Sequence, residues 1–130
     1  MPAEAKYTVM IPLRDNLGNE LGAISTAAHH WLWQATGVEG SYFTGPHRGN
    51  WRDDPQEEFE HLITVAKDTP EMDSHIKELA HEVARGANQW GVFVIKEGKN
   101  GVQSWIIENP QYREGEASEI GQLGNEKGLH

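Results

Sequence analysis

The feature that most constrains this chain is a helix whose start is written into three consecutive residues. In Thr69-Pro70-Glu71 the threonine hydroxyl can accept a free backbone amide, proline suits the first helical position, and the acid complements the positive end of the helix dipole. Met72, Ile76, Leu79 and Val83 then recur at spacings of three and four, which predicts an amphipathic helix to about residue 87. Immediately before it the period changes to two: Phe59, His61, Ile63 and Val65 alternate with Glu60, Leu62 and Thr64, the pattern of a strand over 58–66. A further strand is predicted at 89–95, so the helix must pack on a sheet.

The rest of the chain extends this pattern. Tyr7, Val9, Ile11 and Leu13 alternate with Thr8, Met10 and Pro12, predicting a first strand over 6–13, and residues 15–19 carry turn chemistry. Leu21, Ile24, Ala28, Leu32 and Ala35 line one stripe of a first helix, which Gly37 is placed to end and which Gly22 weakens near its start. A second strand is expected at 38–44, a loop at 45–55, and after the fourth strand an Asn100-Gly101 turn leading into a fifth at 102–107. The order β-α-β-β-α-β plus one strand predicts an α+β, ferredoxin-like sheet with an added C-terminal hairpin strand and two helices on one face. Residues 1–108 form the expected domain. Residues 109–130 are glycine-rich with few apolar side chains and are expected to be a flexible polar tail.

Composition narrows the function classes. The 130 residues contain no cysteine, so disulfides, thiolate nucleophiles and sulfur-ligated metals are excluded. No apolar stretch reaches the roughly 20 residues of a membrane-spanning helix, and the first residues show no apolar export region behind a basic start, so a cytoplasmic location and no membrane partner are expected. The formal charge is -9, and residues 53–82 hold ten acids against Lys67 and Lys77. Such a surface repels phosphate backbones and attracts a cation or a basic protein, so direct nucleic-acid binding is not expected.

Against this background the 45–55 segment stands out. Two glycines permit close backbone approach while His47, Arg48 and Arg52 concentrate positive charge, Trp51 offers a ring face, and Asp53 can orient a cation. The second candidate is the end of the first helix, where His29, His30 and Trp33 could meet the 45–55 segment across a shared cleft. Adjacent residues on a helix point about 100° apart, so His29 and His30 do not make a chelate, and Glu78-x-x-His81 lacks the partner ligands of a bundle metal site. No metal or cofactor is therefore expected. P-loop, dinucleotide-binding, Gly-x-Ser-x-Gly and His-Glu-x-x-His motifs are absent.

These residues lead to the expectation of a non-enzymatic binding or regulatory module. It would hold a small anionic ligand or a protein partner, or act as an acidic antagonist of a basic protein. The alternative is a cofactor-independent enzyme, a hydrolase or isomerase with His47 as general base and Arg48 and Arg52 stabilising negative charge. Apolar residues on both strand faces, among them Trp90 and Trp105, point to a homodimer. Gly49-Asn50-Trp51-Arg52, set between two strands and followed by a third, is similar to a segment of small ferredoxin-like proteins of bacteria and their phages, a resemblance that implies no activity.

Overall fold

The structure, a computed structural model, describes residues 3–51 and 54–118, and among them the side chains of all but 51 and 54–57. Its elements run β1 (Glu4–Pro12), α1 (Ile24–Thr36), β2 (Tyr42–Trp51), β3 (Asp54–Lys67), α2 (Pro70–Gly86), β4 (Gly91–Gly98) and β5 (Gly101–Glu108). The five strands form one antiparallel sheet in the order β2-β3-β1-β4-β5. The fold is thus mixed α+β, with two helices and a five-stranded sheet.

Strand alternation divides the sheet into two unlike faces. Tyr7, Val9 and Ile11 of β1, Leu62 and Ala66 of β3, and Val92 and Val94 of β4 point to the same side and are buried. Ile24, Ala28 and Leu32 of α1 and Ile76, Leu79, Ala80, Val83 and Ala84 of α2 pack against them in a single core, so both helices cover this face. Burying each large aliphatic side chain contributes about 1.5–3 kcal/mol, which is why the stripes seen in the sequence dictate the arrangement. The other face bears Thr8, Met10, Phe59, His61, Phe93, Ile95 and Ile106, and neither helix packs on it.

Both helix ends follow from their sequence. Thr69 Oγ1 accepts the Met72 amide at 3.1 Å with Pro70 at the start of α2, and Gly37 closes α1 in the left-handed conformation, its amide bonded to the Trp33 carbonyl.

Within the expected loop at 45–55, residues 45–51 and 54–55 are instead strands of a long hairpin. β2 and β3 pair from Tyr42↔Ile63 to Trp51↔Asp54, with irregularities between Thr44 and His47 and between Gly49 and Trp51. Glycine and proline suggested a loop, yet β2 is an edge strand, where a missing ladder amide and a bulge are tolerated. The onset of the expected polar tail is also tied down. Asn88 Nδ2 donates to the carbonyls of Arg113 and Glu116, the Arg113 amide donates to Asn88 Oδ1, and Ser118 donates through both its amide and its hydroxyl to Asp15 Oδ2. Residues 119–130 lie outside the described residues.

Candidate functional site

The sheet face that neither helix covers holds a cleft of about 300 Å³, lined from the ends of β1 and β2, the first half of β3, the start of β4 and the end of β5. Its walls include Met10 and Pro12 of β1, Asn50 of β2, Phe59 of β3, and Trp90 and Phe93 at β4; Gln89 and Ile106 complete the rim. Aromatic faces with two carboxamides suit a flat heterocycle, because rings stack on the aromatics and amides supply both donors and acceptors to its edge. Cleft shape depends on Gly49. An added β-carbon there would lie 2.4 Å from Phe59 Cε1, so only glycine lets the ring settle across β2.

Beside this cleft two imidazoles stack. The rings of His47 and His61 lie 4.1 Å apart at 31°, and the Phe59 ring is 6.0 Å from the first and 5.5 Å from the second. Thr44 Oγ1 is 3.0 Å from His47 Nε2, whereas His61 Nε2 is buried with no hydrogen-bond partner. Burial, with His47 and Lys6 nearby, holds the His61 imidazole below its ordinary range. Neutral His61 is therefore the favoured form near pH 7.

A second polar cluster sits on the helix-covered side. Lys96 Nζ, almost fully buried, lies 2.7 Å from Asp68 Oδ1 and 2.8 Å from Asp73 Oδ1, and the Tyr7 hydroxyl donates to Asp73 Oδ1 at 2.6 Å. Hydrogen bonding to Lys96 and to the Lys99 amide holds Asp68 below the usual carboxylate range. Burial pushes the Tyr7 phenol up, reinforced by its bond to Asp73. Burial works against the charged Lys96, but its bonds to Asp68 and Asp73 outweigh that and raise it. Every member of this cluster is satisfied from within, so its chemistry is that of a structural clamp joining β1, β4 and the start of α2.

Among the described residues, those singled out from sequence do not form one pocket. His47 lies on the uncovered face, while α1, with His29, His30 and Trp33, packs on the opposite one. His29 Nδ1 is 2.5 Å from Ser41 Oγ, and exposed His30 and Trp33 rest against each other at 5.8 Å. Arg48 follows His47 in the strand and so points to the other side, opposite Glu58 in register. His47 and Arg48 are accordingly split between faces. Arg52, Asp53 and the side chain of Trp51 lie outside the described residues.

Sequence reasoning missed Phe59, His61, Trp90 and Phe93 as site residues. The strand period had set Phe59 and His61 on one face, which was the available signal. Their meeting with His47 depends on the β2–β3 register, which a local pattern does not encode. Among the described residues no group of three or more His, Asp or Glu side chains is arranged to hold a metal ion.

No family model matches the chain, and no curated protein matches it. Two solved structures are similar to it. A phage SAM lyase in complex with S-methyl-5'-thioadenosine has a TM-score of 0.67 and 15% identity, covering 87% of this chain and 95% of that one. A phage SAM lyase in the apo state has a TM-score of 0.60 and 17% identity, covering 86% and 93%. The likeness is one of fold. The expectation of a non-enzymatic binding or regulatory module or an acidic antagonist is corrected by this finding: both solved structures that share the fold are of an enzyme, a phage SAM lyase.

Proposed function

We propose that this chain is an enzyme of the lyase class that cleaves S-adenosylmethionine and releases S-methyl-5'-thioadenosine, on a ferredoxin-like scaffold. The observation that carries the reading is the aromatic and carboxamide cleft on the open face of a chain sharing its fold with a phage SAM lyase. Its volume of about 300 Å³ is at the lower end of small-molecule sites, suited to a nucleoside thioether. The charge of -9 favours a sulfonium substrate, which bears a net positive charge, over the anionic ligand expected from the 45–55 segment.

In this reading Phe59, Trp90 and Phe93 stack on the purine, and Asn50 and Gln89 address its edge. When the bond between sulfur and the amino-acid side-chain carbon breaks, sulfur keeps the electron pair and becomes a neutral thioether. The carbon it leaves gains a bond from the substrate's own carboxylate. This route cancels a positive and a negative charge within one molecule, and a water-poor apolar cleft favours such a step because little solvation is lost with the charges. Exposed Tyr42, Val65, Val102 and Ile106 on the same face favour pairing with a second copy of the chain.

Calorimetric titration with methylthioadenosine tests the site. Binding by the wild type, weakened at least tenfold by Trp90→Ala and Phe93→Ala, supports it; equal affinity in all three places the ligand elsewhere.

A further inference from the structure

We propose that the stacked pair His47 and His61 makes the cleft proton-sensitive: once the pair gains a proton, the cleft rejects a sulfonium ligand while still accepting the neutral thioether. This rests on the reading of the cleft as the site for S-adenosylmethionine and adds a regulation that the likeness to other proteins does not supply.

The geometry is specific. Phe59, a wall of the cleft, contacts both imidazoles, and Met10, another wall, is the cross-strand partner of His61. The pair is thus one side chain removed from the bound ligand. Among the residues whose side chains are described, the groups facing it offer no carboxylate to balance a proton. β2 contributes Thr44 and β3 contributes Phe59 and Ile63. β1 contributes Lys6, itself a cation, whose partner Glu97 on β4 is 3.7 Å away from it. Both helices lie behind the sheet, and Glu60 is turned towards them, bonded to Ser25.

His61 Nε2 has no hydrogen-bond partner. A second proton on rings 4.1 Å apart is opposed by the first, so the pair holds at most one added charge. At the effective dielectric of a protein interior, a cation on the order of 10 Å from a sulfonium weakens its binding about tenfold. A neutral thioether feels almost none of this. The pair therefore discriminates by charge and not by shape.

The test measures kcat/KM for S-adenosylmethionine and the inhibition constant of methylthioadenosine from pH 7.5 to 5.0, in the wild type and in the His47→Gln/His61→Gln double variant. The expected result is a wild-type preference for the charged ligand that falls about tenfold on acidification, and a flat preference in the double variant. A flat wild-type ratio overturns the proposal, as does a fall that persists undiminished without the two imidazoles. If the double variant no longer binds methylthioadenosine, His47→Gln alone decides: the imidazole left is the buried one, which takes a proton less readily than the pair does, so the fall should move to lower pH, and an unmoved fall overturns the proposal. Absence of any methylthioadenosine production at pH 7.5 overturns the reading of the site and this inference with it, whereas a flat ratio in an active enzyme overturns this inference alone.

Discussion

Gly49 supports the ring of Phe59 across the β2–β3 pair so closely that a β-carbon at residue 49 would lie 2.4 Å from Phe59 Cε1 and 3.1 Å from Cζ. Gly49→Ala therefore forces the ring out of place. The expected outcome is a loss of about 1–3 kcal/mol in urea unfolding, the usual cost of overpacking, together with weaker methylthioadenosine binding. Phe59→Leu tests the wall without the clash and should weaken binding with a smaller change in stability.

The clamp at the other side of the sheet predicts an alkaline limit. Tyr7 and Lys96 are both raised in the folded protein, so their stabilisation is complete below about pH 10 and is lost as pH rises through their folded values. Tyr7→Phe removes the 2.6 Å bond to Asp73, with an expected cost of about 1–2 kcal/mol at neutral pH. Because phenylalanine cannot ionise, the stability difference from wild type should shrink above pH 10. Urea midpoints at pH 7 and pH 10.5 measure both effects.

His61 predicts the opposite limit. Its folded value is depressed, chiefly by burial, so its contribution is present above the ordinary imidazole value of about 6.5 and is lost as pH falls through the folded value. The melting temperature should decline between about pH 6.5 and pH 5 more steeply in the wild type than in His61→Phe, which keeps the ring stack without the titration. Parallel curves would show that His61 takes a proton as readily in the folded protein as in the unfolded chain, contradicting the depressed value.

Much of the architecture was legible because it depends on local period and end signals. Thr69-Pro70 and Gly37 did what their chemistry dictates, and the alternation in β1 correctly set Tyr7, Val9 and Ile11 against the helices. Residues 45–51 misled because Gly45, Pro46 and Gly49 lower strand propensity, whereas an edge strand bordered by a bulge tolerates all three. The candidate site was less legible. His47 and His61 are fourteen positions apart and meet only through register, and Trp90 reaches the cleft from just before β4. Arg48 drew attention as a neighbour of His47 in sequence, although neighbours in a strand face opposite ways.

Residues 109–118 were hidden for a related reason: their order comes from side chains elsewhere. Asp15 accepts the amides of Leu17 and Asn19 and the side-chain amide of Asn19, each at 2.9 Å, and the amide and hydroxyl of Ser118 at 2.9 and 3.0 Å. Burial works against its ionisation, yet these donors, led by the Ser118 amide, hold the carboxyl below the usual range. Asp15→Ala should cost on the order of 2–3 kcal/mol and speed amide exchange at both Ser118 and Asn19, since one carboxylate anchors both segments. Exchange changed at Asn19 alone would contradict a shared anchor.

If the open face of the sheet is a lyase active site, as proposed, the full chain must release methylthioadenosine from S-adenosylmethionine. Incubating the purified full chain with S-adenosylmethionine and following methylthioadenosine by liquid chromatography and mass spectrometry tests it most directly. Stoichiometric methylthioadenosine is expected at pH 7.5, with kcat/KM reduced at least tenfold in Phe93→Ala. Turnover no faster than in a protein-free control, from a folded wild-type sample, would contradict it.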